Sequence, residues 1–132
     1  MASWGPGSFD NDDAVDWVTA LMETDDPSFL DDAFAGVLED SAGYLEASDC
    51  AVALAAVEVV AALNARATAD LPDEVRRWVS EHLGGARPKL VTQARRAIAA
   101  VLAGSETKDV WEDTDDRERW RQGVDDLVRR LG

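Results

Sequence analysis

CAVALAAVEVVAAL, residues 50–63, is apolar on nearly every side of a helix and contains a single charged residue, Glu58. The stretch is shorter than the roughly twenty apolar residues that a membrane-spanning helix needs. A helix that is apolar all round is normally buried by its neighbours. Residues 50–63 therefore predict the central helix of an α-helical protein.

Helical spacing continues on both sides of this stretch. Asp10 or Asn11 is suited to begin a first helix, and Asp26 with Pro27 a second. Ser48 or Asp49 is the expected start of the central helix. Pro72 and Pro88 are expected to start two more helices, and a turn around Val110 and Trp111 follows them. The last helix carries apolar residues at helical spacing: Trp120, Val124, Leu127 and Leu131. No stretch alternates with period two, so we predict an all-α fold: one compact domain, residues 1–132, of about six helices.

Charge is distributed unevenly along the chain. The first 66 residues carry a net charge of -13, whereas residues 67–132 carry -1. Such a polyanion favours a basic protein surface or a cation as its partner, and it disfavours direct binding to nucleic acid. The N-terminus lacks the features of a signal peptide and Cys50 is the single cysteine, so we expect a cytoplasmic protein without a membrane segment.

The densest acidic stretch contains Asp10, Asp12, Asp13 and Asp16. Oxygen ligands of this kind suit Ca²⁺ or Mg²⁺, which makes these four residues the candidate metal ligands. The pattern departs from a calcium-binding loop, because Ala14, Val15 and Leu21 occupy positions that require ligands or glycine. Helix capping next to a solvated face accounts for the same residues without any metal.

Glu58 is the unusual residue of the central helix. A buried carboxylate must be paired, hydrogen-bonded or protonated. A tryptophan indole, the backbone amides of residues 4–7, or an arginine from one of the last two helices can supply the partner. No motif for acyl transfer, nucleotide binding or a His/Cys metal site accompanies it, so the sequence favours a protein that is not an enzyme.

Residues 3–17, SWGPGSFDNDDAVDW, resemble the N-terminal signature of a bacterial family, domain of unknown function 4259. The resemblance extends through AAVEVVAA, residues 55–62, to Trp111 and Trp120. It implies no activity, cofactor or catalytic residue. In a Trp-Gly-x-Gly-x-Phe segment, Gly5 and Gly7 allow a close backbone approach while Trp4 and Phe9 insert between helices. We therefore expect an N-terminal plug over the central helix, with Glu58 beneath it.

Two functions and one neutral explanation remain open at this point. The favoured function is a non-enzymatic acidic interaction module for a basic protein, in the manner of an immunity or inhibitor protein. The alternative is a divalent-cation-binding protein or metal-dependent enzyme that uses the Asp10–Asp16 cluster. The neutral explanation is a soluble acidic domain with no site on its acidic face.

Overall fold

The computed structural model describes residues 7–24, 26, 28–39, 45–69, 71–82 and 87–131. These residues form helices and connecting turns, with no β-strand among them. The helices are α1 (Asp12–Leu21), α2 (Ser28–Leu38), α3 (Ala47–Leu63), α4 (Asp73–Ser80), α5 (Pro88–Ala103), α6 (Glu106–Glu112) and α7 (Arg117–Leu131). The all-α prediction is confirmed, and the described residues contain seven helices instead of about six.

Helix α3 lies at the centre and packs against each of the other six helices. Thirteen of its seventeen residues are buried, and they lie on every side of the helix. Burying this surface removes apolar area from water in all directions, which is the main force that holds the surrounding helices in place. The central role predicted for residues 50–63 is confirmed.

The first two helices begin where short polar side chains cap them. The amide of Ala14 donates to Asn11 Oδ1 at 2.8 Å, so Asn11 is the cap of α1. Asp26 Oδ1 accepts from the amide of Ser28 at 2.9 Å, and Ser28 begins α2. This hydrogen bond, with a second from the Ser28 side chain, lowers the pKa of Asp26. Pro27 lies outside the described residues.

Helix α3 begins at Ala47, before the expected starts at Ser48 or Asp49, because its cap comes from a distant part of the chain. Glu106 Oε1 accepts from the amide of Ala47 at 2.8 Å. In return, the amide of Glu106 donates to the carbonyl of Leu45 at 2.8 Å. Glu106 is the first residue of α6, a helix that occupies the region where the sequence predicted only a turn.

The remaining helices follow their sequence signals. Pro88 is the first residue of α5. The buried residues of α7 are the predicted ones, Trp120, Val124, Leu127 and Leu131. Helix α4 is joined to the end of α1, since Trp78 Nε1 donates to the carbonyl of Thr24 at 2.8 Å.

No helix in the described ranges has the length and apolar character that crossing a membrane requires.

Candidate functional site

Glu58 is only 5% exposed, and its counter-ion comes from the last helix. Arg130 Nη2 lies 2.7 Å from Glu58 Oε1, and both side chains are largely withdrawn from solvent. Of the partners that the sequence left open, an arginine from the last helix is therefore present. The pair connects the centre of α3 to the end of α7.

Arg130 makes two further contacts that fix its guanidinium. Its Nε donates to Asp126 Oδ2 at 2.7 Å, and its Nη1 donates to the carbonyl of Arg66 at 3.2 Å. Burial disfavours the charged guanidinium, but the hydrogen bond to Asp126 and the charge of Glu58 outweigh it and raise the pKa of Arg130. The same hydrogen bond holds the pKa of the Asp126 carboxyl below its usual value. The three side chains thus form one charged triad.

The triad lines a cavity of about 580 Å³. One wall comes from α3, with Ala51, Leu54 and Glu58. A second part of the lining comes from α6 and α7 and includes three side chains that sequence reasoning did not assign to a site: Trp111, Trp120 and Arg130. The lining combines apolar and charged side chains in similar proportion, and a concave site of this size is the usual place for a ligand to bind.

Residues 7–11 form another part of the cavity wall. Asp10 accepts the amide of Gly7 through Oδ2 at 3.0 Å, and its own amide donates to the carbonyl of Gly7 at 3.1 Å. A side chain at position 7 would place its Cβ 2.6 Å from this carboxylate oxygen, so Asp10 would have to shift to accommodate it. Gly7, Phe9 and Glu58 of the predicted site therefore line one cavity, while Trp4 and Gly5 lie outside the described residues.

The four candidate metal ligands lie in three different settings. Asp10 closes the turn with Gly7, and Asp12 and Asp13 lie in the first turn of α1, where they face the positive end of the helix dipole. Asp16 is exposed one turn later. Asp13 Oδ2 is buried without a hydrogen-bond partner. In the described part of the chain, no three acidic, His or Cys side chains are grouped so that they could hold a metal ion.

An acidic stripe, which we define as Asp12, Asp16 and Glu23, follows the outward side of α1 and continues into the turn after it. All three side chains are exposed, and Val15 beside them is 45% exposed. Within the described ranges, every ion pair lies on α3, α6, α7 or the turn before α7. The stripe therefore has no basic partner among the described residues.

Cys50 lies in a buried polar cluster at the start of α3. Its side chain is fully buried, and Ser105 and Thr107 beside it are also buried. Burial raises the pKa of the Cys50 thiol, although hydrogen bonds with Ser105 and Thr107 oppose the shift. A buried thiol that ionises less readily is a weaker nucleophile, and this environment is typical of a structural cysteine.

Fold and site together define an all-α protein in which a central helix carries a buried carboxylate, paired with arginine at the edge of an aromatic and acidic cavity. The chain belongs to the family described as domain of unknown function 4259 (DUF4259), whose model matches residues 2–123. Asp126 and Arg130 follow the matched region, whereas Glu58, Trp111 and Trp120 lie within it. Comparisons with curated proteins and with solved structures gave no match.

Proposed function

We propose that this protein is a non-enzymatic interaction module that binds a basic protein partner through the acidic stripe of α1, in the manner of an immunity or inhibitor protein. The observation that carries the proposal is the absence of intramolecular counter-ions for the stripe within the described residues. Asp12 and Asp16 are four residues apart on α1, and like charges at this spacing destabilise a helix by about 0.2–0.5 kcal/mol per pair. A basic surface removes this repulsion when it binds.

The composition of the stripe supports a protein partner. An exposed apolar side chain, Val15, lies one helical turn from Asp12 and next to Asp16 in the chain. Interfaces combine such apolar contacts with complementary charge, and the charge accelerates encounter and selects the partner. A net charge of -14 adds long-range attraction for a basic protein.

A matched pair of charge variants tests the proposal. The immobilised protein is used to capture basic proteins from its host lysate at low salt, and affinity for the purified partner is then measured. Neutralising the stripe with Asp12→Asn, Asp16→Asn and Glu23→Gln should weaken binding by roughly threefold to a hundredfold, since each exposed charge pair contributes about 0.2–1 kcal/mol.

The control variant carries Asp113→Asn, Asp115→Asn and Glu118→Gln. These three exposed carboxylates lie around the start of α7, and their neutralisation changes net charge by the same amount. The control should keep nearly all of the affinity. Equal losses in both variants would mean that total charge alone attracts the partner, and the stripe would then not be the binding surface.

We also propose that residues 4–9 pack on α3 as an N-terminal plug that forms one wall of the cavity beside Glu58 and leaves its interior open. The support is that Gly7 and Phe9 line the same cavity as Ala51 and Leu54 of α3, and Phe9 is partly buried against the core. Trp4→Ala should then lower the free energy of unfolding by about 3 kcal/mol, typical of losing a packed aromatic ring. A change below about 0.5 kcal/mol in a urea titration would contradict the plug.

A further inference from the structure

We propose that the cavity beside Glu58 binds one cationic side chain, a guanidinium or a primary ammonium group, of the basic polypeptide that the acidic stripe attracts. This inference rests on the proposed function and extends it, because it assigns a recognition pocket to the same partner. The cavity holds about 580 Å³, within the range of established ligand pockets and large enough for an arginine side chain.

The charges in the cavity select a cation. Asp10, Glu58 and Asp126 supply three carboxylates to its lining, and Arg130 is the one basic residue among the described lining residues. Arg129 reaches Asp126 Oδ1 from the surface at 3.5 Å. The carboxylates still outnumber the cations when Arg129 is counted.

Arg130 is poorly placed to bind an anion instead. Its Nε, Nη1 and Nη2 atoms already contact Asp126, the carbonyl of Arg66 and Glu58. An incoming anion would have to approach the three carboxylates that line the same cavity. The guanidinium therefore holds Glu58 and Asp126 in position, and the net charge of the cavity lining stays negative.

Aromatic side chains provide the second element of cation recognition. Trp120 is buried in the wall, and Trp111 and Phe9 are partly buried beside the same cavity. The face of an aromatic ring attracts a cation, most strongly in tryptophan, and the attraction grows when water is excluded. Carboxylates combined with aromatic side chains in one lining fit a guanidinium or ammonium group better than a neutral ligand.

The position of the cavity at the start of α1 favours a polypeptide as the source of the cation. Asn11 caps α1 and also lines the cavity, while Asp12, the first residue of the acidic stripe, follows it directly. A basic segment lying along α1 can thus place one side chain in the pocket while others face Asp16 and Glu23. A free amine would use the pocket alone.

Calorimetric titration with N-acetyl-arginine amide tests the pocket. N-acetyl-citrulline amide, which has nearly the same shape without the charge, serves as the matched ligand. We expect the arginine compound to bind at least tenfold more tightly. Equal affinity of the two compounds, or no binding of either, would overturn the proposal.

Two variants locate the binding. Trp111→Ala should weaken binding of the arginine compound at least threefold, and so should Asp10→Asn. The side-chain oxygen of the new asparagine can still accept the hydrogen bond from the Gly7 amide, so Asp10→Asn removes the charge and keeps the turn. Val110→Ala, an exposed neighbour outside the cavity lining, should leave the affinity unchanged. An unchanged affinity in Asp10→Asn, a variant that preserves the turn, would place the binding elsewhere and overturn the assignment.

A third set of titrations separates the pocket from the proposed function. A peptide with several basic residues should bind more tightly than the arginine compound, and the gain should disappear in the stripe variant. If peptide and amino acid amide bind equally, the polypeptide source is wrong. If the stripe variant loses the partner but the arginine compound does not bind, the pocket is wrong and the proposed function stands. If the arginine compound binds but the stripe variant still binds the partner, the pocket stands and the proposed function is wrong.

Discussion

At the scale of single residues, Arg130 joins two helices, because its guanidinium contacts Glu58 of α3 and Asp126 of α7. Arg130→Met should remove the counter-charge of a buried carboxylate while it retains most of the side-chain volume. Breaking one side of such a pair costs about 3–5 kcal/mol of stability. A urea titration of the variant should show a loss of this size.

The neighbouring Arg129 provides the control for this substitution. Its side chain is 75% exposed and pairs with Asp126 at the surface, so Arg129→Met should cost less than about 1 kcal/mol. Adding Glu58→Leu to Arg130→Met should restore much of the lost stability, since an apolar pair needs no charge compensation. Similar small losses in both single variants would show that the buried pair contributes little.

Cys50 is the second residue whose environment makes a clear prediction. Burial raises the pKa of its thiol, so at mildly alkaline pH a smaller fraction is thiolate than in an exposed cysteine. We expect a thiol reagent to modify Cys50 only as fast as the protein opens. The same reagent should react rapidly in denaturant, and rapid reaction of the folded protein would contradict the buried environment.

At the scale of helices, the junction between α3 and α6 depends on one carboxylate. Glu106→Ala removes the side chain that accepts the amide of Ala47, and it should lower the free energy of unfolding by about 0.5–2 kcal/mol, as the loss of a helix cap does. Glu118→Ala, an exposed residue in the first turn of α7, should cost less than about 0.5 kcal/mol. Equal effects of the two substitutions in a denaturant titration would argue against the cap.

The elements that the sequence predicted are those whose signals are local. The last helix has its apolar residues at positions 120, 124, 127 and 131, and this spacing alone identifies the buried face. Helix α6 was missed because ETKDVWE is mostly polar and gives no apolar stripe, although Ser105 before it is a suitable cap and does accept from the amide of Lys108. The start of α3 was misplaced because Glu106, its cap, lies 59 residues away.

The site was predicted to the same limited extent. A glutamate among valines indicated that Glu58 needs a partner, since burial of a lone charge is costly whatever the fold. The choice of Arg130 could not follow from sequence, because it depends on how α7 lies against α3. The cavity is likewise a product of packing, and the tryptophans on its α6 and α7 wall are far from Glu58 along the chain.

At the scale of the whole molecule, the charge of -14 should make stability depend on salt. Screening reduces repulsion among the carboxylates, so sodium chloride should raise the melting temperature. Calcium or magnesium chloride of matched ionic strength should raise it equally if no specific cation site exists. A larger rise with the divalent ions, abolished by Asp12→Asn with Asp13→Asn, would support the metal-binding alternative over our proposal.

The contact between Glu58 and Arg130 also has a consequence for synthesis of the chain. Translation adds about 5–20 residues per second, so the 72 positions between these two residues take roughly 4–14 seconds to make. During that interval the central helix exists without its counter-charge, and its apolar sides lack α5 and α7. Until α7 has been made, the nascent chain therefore exposes apolar surface of the kind that chaperones and proteases recognise.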